Sequence, residues 1–391
     1  MSSSGRIDGV LRRAVEEAEV PGVVAIAATD TTAGGVFYQG AFGVRQLGTA
    51  APMTLDTVFR IASMTKTVTA VAAMQLVEAG RLSLDAPVPD IDPALGSPQV
   101  LEGFDGAGMP RLRPAARPIT LRRLLTHTAG FGYETWNADI ARYVATTGTP
   151  STGTGRLAAL ALPLVFDPGE RWEYGINIDW VGRLVEAASG EPLDRYFREH
   201  IFAPLGMNDT AFAPDPGQRR RQATVHQRDR TGALLPQILD PPANPEFHAG
   251  GGGLFSTAPD YLAFLSMLLH EGEGGGVRIL RPETVRLIGE NQIGDLDAGI
   301  MKTTNPARSN DVDFFPGMPV RWGLGSMLTL RPGPDGRSAN SLTWAGVFNT
   351  YFWLDPAKRV AAAILTQLLP FADRRVLDLY RAFEREVYAA L

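Results

Sequence analysis

The chain has 391 residues, 45% of them hydrophobic and 20% charged, a net charge of −5 and no cysteine. This composition excludes a disordered chain, a fibrous repeat and a disulfide scaffold, and the length points to two packed subdomains. The negative balance argues against nucleic acid or an anionic membrane as partner, and the missing thiols exclude a thiolate nucleophile and a cysteine-held metal.

The N-terminal stretch Met1-Ser2-Ser3-Ser4-Gly5-Arg6 is polar, and no apolar core of a secretory signal follows it. No apolar run reaches the length of a membrane span, so the expectation is a soluble, cytoplasmic protein with no membrane partner. Ile7, Val10, Leu11 and Val15 stand at helical spacing and predict an amphipathic helix over residues 6–19, which Pro21-Gly22 stops. Residues 23–28 and 36–44 read as strands, with turn chemistry over 31–35. A helix rich in Ala, Val, Met and Leu is predicted over 63–79, with Gly80 ending it.

From there to residue 240 the pattern predicts short helices joined by Pro- and Gly-rich loops. Thr120 is placed to cap residues 121–125, Asp179 to cap residues 180–188, and a helix over 193–200 follows Pro192. Residues 213–249 lack periodicity and read as a long surface connection. The glycine run 250–253 precedes Leu254-Phe255-Ser256, and 261–270 reads as helix. Strands are predicted near 324–330, 341–344, 347–354 and 360–366, and an amphipathic helix over 372–390 closes the chain. Strands at both ends with helices between them predict one sheet built from both termini. The corresponding division is 1–80 with 241–391 as the α/β sheet domain and 81–240 as an inserted, mainly helical domain, with the active site at their interface.

Three segments carry candidate chemistry. Ser63-Met64-Thr65-Lys66 is the only Ser-x-x-Lys in a chain with three lysines, and it opens a helix. Residues i and i+3 share a helix face, so the lysine lies beside the hydroxyl, which needs a neighbouring base to become a nucleophile. Burial and the positive helix end favour the neutral amine such a base requires. Tyr174, within Trp172-Glu173-Tyr174-Gly175-Ile176-Asn177, becomes a proton shuttle if it meets that lysine. Trp344-Ala345-Gly346-Val347 reads as a strand edge where small residues let a carbonyl approach, and the amides of Ser63 and Val347 are the candidate oxyanion donors. No Gly-x-Ser-x-Gly occurs, the five histidines lack metal spacing, and the glycine run is followed by no Gly-Lys-Ser/Thr.

Together, Ser63-Met64-Thr65-Lys66, Tyr174 and Trp344-Ala345-Gly346 resemble the motif set of serine β-lactamase-like proteins. The resemblance is closest to family VIII carboxylesterases, which are similar in fold to class C β-lactamases and penicillin-binding proteins. Residues 124–131, 204–207 and 251–258 extend it, and residues 100–105 resemble a subgroup that includes the fungal lovastatin side-chain acyltransferase. The resemblance implies an α/β (α+β) fold, an antiparallel sheet flanked by helices plus the helical insertion. It implies acylation of Ser63, shared acid and base work by Lys66 and Tyr174, and a second oxyanion amide from Val347. Trp344 stands where β-lactamases carry a cation that holds the substrate carboxylate, which favours neutral esters. Asn177 lies one position later than the class C motif asparagine, and Ala345 replaces the usual glycine of the esterases.

The reading is a serine carboxylesterase for short- to medium-chain esters, with acyl transfer to alcohols as a side activity; the alternative is a β-lactamase or D-amino-acid peptidase. Trp344, Ala345, Gly346, Tyr133, Asn177 and Phe255 are the candidate substrate contacts, with Trp136 and Trp172 as further apolar walls. The partners are a small ester and water or an alcohol. The mechanism requires neither cofactor nor metal.

Overall fold

The computed structural model describes residues 3–29 and 35–391. The turn expected over 31–35 falls almost entirely outside them. Seven strands form the main sheet: β1 (Gly22–Thr29), β2 (Val36–Gly43), β3 (Val320–Trp322), β4 (Met327–Thr329), β5 (Leu342–Gly346), β6 (Thr350–Asp355) and β7 (Val360–Leu365). Their spatial order is β3-β4-β5-β6-β7-β1-β2 and every pairing is antiparallel. Ile26 of β1 lies opposite Ala363 of β7, so strands from the two ends of the chain pair inside the sheet, one strand in from its β2 edge.

Helices cover both faces, which is why the central strands are apolar throughout and not alternating. Tyr351 and Trp353 of β6 point to one face, against Tyr380 and Phe383 of the last helix, while Phe352 between them meets Tyr261 on the other. The helices that matter here are α1 (Ser3–Glu16), α2 (Thr65–Glu78), α3 (Leu121–Leu125), α4 (Asn177–Ser189), α5 (Ala258–Leu269) and α6 (Arg374–Tyr388). Thr120 caps α3 as expected, accepting from the Arg123 amide. Among the described residues no helix is long and apolar enough to cross a membrane.

The structure corrects four expectations. Asp179 caps nothing: α4 begins at Asn177 behind Ile176, and the Asp179 carboxylate bonds elsewhere. Residues 213–249 hold a short helix at Pro216–Arg220, with Asp215 and Gln218 forming a capping box, and a hairpin of Val225–Arg228 with Leu234–Gln237. Polar side chains at alternate and successive positions hid that hairpin from a periodicity count. Residues 81–240, expected to be mainly helical, also contain a hairpin, Gln99–Phe104 with Pro110–Pro114. Finally, Val347 does not begin a strand. Residues 347–349 form the β5–β6 turn, with Asn349 at φ +59° and its amide bonded to the Gly346 carbonyl.

The last helix is tied to the sheet by a buried ion pair. Arg337 donates from Nε to Glu384 Oε1 at 2.8 Å and from Nη2 to the Tyr380 hydroxyl at 2.6 Å, and both ionic side chains are at most 3% exposed. Removing one member strands the other charge away from water, so Glu384→Ala is expected to cost about 3–5 kcal/mol of unfolding free energy, read from the urea midpoint.

Candidate active site

The nucleophile candidate sits where the chain turns into α2. Ala62 takes φ +44°, a left-handed conformation that costs an L-residue about 1–2 kcal/mol per position. A short 3-10 turn, Ala62–Met64, then hands the chain to α2. That helix is apolar or small nearly all round, as a helix buried on every side must be. Its first turns are held from outside: Thr65 Oγ1 accepts from the Leu254 amide at 3.1 Å, Tyr261 donates to the Met64 carbonyl at 3.0 Å, and Thr69 donates to the Gly250 carbonyl at 2.6 Å.

Lys66 is wholly buried. Its Nζ lies 3.1 Å from Ser63 Oγ, 3.3 Å from the Tyr133 hydroxyl and 2.5 Å from the Gly251 carbonyl oxygen. Among the described residues no carboxylate lies within ion-pair distance of it. Asp179 reaches it through the same partners: its Oδ1 accepts from the Gly251 amide at 2.9 Å and its Oδ2 accepts from the Tyr133 hydroxyl at 3.3 Å. Burial raises the Asp179 carboxyl, and the Lys66 charge pulls it back. Burial likewise pushes the Tyr133 phenol well above its usual range, with Asp179 adding to it.

Tyr174 stands in a cage of rings. Trp344, Tyr133 and Trp136 have centroids 5.0, 5.3 and 5.4 Å from its own, and His127 stands at 4.8 Å. The Trp344 indole N–H donates to the Tyr174 hydroxyl at 3.0 Å, and Lys66 Nζ lies 4.8 Å from the Tyr174 ring centroid. His127, at φ +57° and fully buried, meets the Asn177 amide nitrogen at Nδ1, 3.0 Å away.

Ser63, Lys66, Tyr133, Tyr174 and Trp344 thus come together. Asn177 and Phe255 stand further out. The Asn177 amide nitrogen also donates to the Phe131 carbonyl at 3.1 Å, and the Arg60 guanidinium lies over the Phe255 ring at 4.7 Å. Of the aromatic walls, Tyr133 and Trp136 are half-buried, whereas Trp172, Phe255 and Trp344 are buried. Gly346 reaches the Ser63 turn: a Cβ there would lie 2.3 Å from the Ile61 carbonyl oxygen, so only glycine permits the approach. Ala345 beside it is buried in β5. Val347 packs against a small buried cluster of Ala62, Val225, Phe348 and Leu369. Val347 follows Gly346 and so stands beside the turn that carries Ser63, which puts the two candidate amides on adjoining turns. No three His, Asp or Glu side chains among the described residues gather as a metal ion would need.

A family model described as Beta-lactamase matches residues 7–386. The chain belongs to the Beta-lactamase family. Among its members, the monacolin J acid methylbutanoyltransferase of Aspergillus terreus is 35% identical, over 98% of this chain and 95% of that protein. The lovastatin esterase of Penicillium rubens is 32% identical over 98% of each. In structure, a LovD6 mutant of the simvastatin synthase of Aspergillus terreus superposes with a TM-score of 0.87 at 33% identity, covering 99% of this chain and 97% of that one. This Beta-lactamase-family chain is accordingly an enzyme of the esterase and acyltransferase kind.

Three site residues escaped the sequence reading: Asp179, His127 and Trp322. Trp322, fully buried on β3, packs edge-on against Trp344 at 4.7 Å and against His127 at 5.2 Å. No motif marks it. His127 lay inside a stretch used for the resemblance and carried no assigned role. Burial first, and the Lys66 charge second, hold its imidazole well below the usual 6.5. The unfolded chain therefore binds a proton near that pH that the folded chain refuses. The His127 contribution is complete above it and is lost as the pH falls toward the folded value. The expected result is a urea midpoint that drops between about pH 7.5 and about pH 5.5, with a smaller drop in His127→Gln.

Proposed function

We propose that the protein is a serine ester hydrolase in which Ser63 is acylated, and that the acyl group then leaves to water or to an alcohol. The observation that carries this reading is the 3.1 Å contact between Ser63 Oγ and the amine of a wholly buried Lys66. A hydroxyl within hydrogen-bond reach of an amine that is itself anchored is the arrangement an activated serine needs. Ser63 Oγ bonds to the ester carbonyl carbon as its proton passes to Lys66. The carbonyl oxygen takes up the negative charge between the Ser63 and Val347 amides, where each donor is worth about 2.7–4 kcal/mol by comparison with other oxyanion holes. The Lys66–Tyr174 pair then protonates the leaving alkoxide, and the same steps in reverse order, with a new acceptor, release the acyl group.

Two features support an ester over a β-lactam. Trp344 occupies the position of the lactamase cation, and its only polar atom is spent on Tyr174. No guanidinium or ammonium is thereby offered at that position to a substrate carboxylate. The relatives' names join a methylbutanoyltransferase with an esterase. An acyl-enzyme with aromatic walls suits both, since an alcohol that packs on the rings competes with water for the acyl group. Tyr133 and Trp136, the half-buried rings, are the proposed walls for acyl or alcohol, with Ala345, Gly346, Phe255 and Asn177 supporting the site from behind.

Ser63→Ala is expected to lower turnover of p-nitrophenyl butyrate by at least about 1,000-fold, and intact mass of the wild type during turnover should show one added butyryl group. Undiminished turnover in the variant removes Ser63 from the mechanism. Nitrocefin, run in parallel, should be cleaved far more slowly than the ester. Trp344→Phe keeps the ring and deletes the hydrogen bond to Tyr174. It is expected to cost about three- to tenfold in kcat, the worth of one such bond, with KM little changed.

A further inference from the structure

Asp179 is 1% exposed and lies in the first turn of α4 without capping it. Its two oxygens go to the Gly251 amide and the Tyr133 hydroxyl. Each of those partners turns its other polar atom on Lys66: the Gly251 carbonyl oxygen at 2.5 Å and the Tyr133 oxygen at 3.3 Å. The space is reserved for this contact, because a Cβ on Gly251 would fall 2.5 Å from Asp179 Oδ2. Tyr133 has a single proton. With that proton committed to the carboxylate, its oxygen is left to accept.

A neutral amine has two hydrogens and one lone pair. Gly251 and Tyr133 take the two hydrogens, and the remaining contact is Ser63 Oγ. We propose that Asp179 is the positioning residue of the Ser63–Lys66 pair, turning two acceptors onto the amine so that its lone pair faces the serine hydroxyl. The inference rests on the acyl-Ser63 reading and gives it a third member, in the way a base is commonly oriented by a group behind it. When the Ser63 proton moves to Nζ and the Oγ–C bond forms, Lys66 becomes an ammonium. The Asp179 carboxylate balances that charge across the Tyr133 hydroxyl and the Gly251 peptide. When the proton passes on to the leaving alkoxide and the C–O bond breaks, the amine is restored.

The ionisable groups that face Lys66 are Asp179 on α4, Tyr133 after α3 with Glu134 next to it, Tyr174 ahead of α4, and His127. Burial keeps His127 neutral and Tyr133 protonated; it also raises the Asp179 carboxyl, which the Lys66 charge and the hydrogen bonds from the Gly251 amide and the Tyr133 hydroxyl pull back toward the anion, and Glu134 is the other carboxyl group beside the cluster. Only three lysines occur in the chain. The ε-carbon NMR spectrum of lysine-labelled protein therefore holds three signals, and Lys302→Arg and Lys358→Arg assign the third to Lys66.

Asp179→Asn keeps the size of the side chain and an oxygen for Gly251 but removes the charge. Without the anion the ammonium is less stable, so the Lys66 midpoint should move to lower pH by about one unit or more. The acid limb of kcat/KM should move with it, and kcat should fall about tenfold or more with KM unchanged. A Lys66 midpoint that stays in place overturns the proposal, even if kcat falls. If the midpoint moves but Ser63→Ala remains active, the acyl-Ser63 reading fails while the coupling of Asp179 to Lys66 stands. Should Asp179→Asn not fold, Tyr133→Phe removes one acceptor and keeps the anion: a kcat loss at constant KM supports the proposal, and an unchanged kcat overturns it.

Discussion

An amine with no access to water is the constraint around which this structure is arranged. Burying Lys66 removes the hydration that an ammonium or amine would otherwise have, and the loss is made good by three oxygens within 3.3 Å. Those oxygens come from different parts of the chain: the turn before α2, the loop after α3 and the glycine run ahead of α5. Each segment must be placed to within tenths of an ångström for the lysine to be tolerated at all. The rigidity that catalysis by a positioned base demands is thus inseparable from the solvation problem that the lysine creates.

The backbone bears much of that placement. Ala62, His127 and Asn349 all have positive φ, at +44°, +57° and +59°, and all three border the site. Left-handed conformations at L-residues persist only where packing over-determines them, and here the packing is aromatic. Tyr174, Trp344, Trp322, Trp172 and His127 form one continuous cluster of rings with little exposed surface. Close approach does the rest. Gly346 admits the Ile61 carbonyl, and Gly251 admits the Asp179 carboxylate.

The sequence was legible wherever one physical signal dominated. The sheet strands at both chain ends announced themselves as β-rich apolar runs, α2 by its composition and Gly80, α3 by Thr120. The Ser63–Lys66 pair followed from i, i+3 spacing alone, and Tyr174 and Trp344 from their place in a known motif set. What stayed hidden depends on contacts distant in sequence. An aspartate near the start of a helix looks like a cap, and nothing local distinguishes Asp179, which instead reaches across to Gly251 and Tyr133. A strand of three residues ending in Trp322 has no period to count. The hairpin at Val225–Arg228 pairs with Leu368–Leu369, far along the chain, so its polar composition gave no hint of order.

The pairing of β1 with β7 inside the sheet has a consequence for how the protein comes into being. Val24 lies opposite Leu365, so the first strand to leave the ribosome waits for nearly the whole chain before its partner exists. Contacts this distant in sequence slow folding, because the loop between them must be closed before it is rewarded. The same late segment carries Trp344, Gly346 and Val347 to the turn that holds Ser63. A nascent chain therefore has its serine and lysine early but neither the Val347 amide nor the indole that bonds Tyr174, and the site is assembled only as the last strands close the sheet.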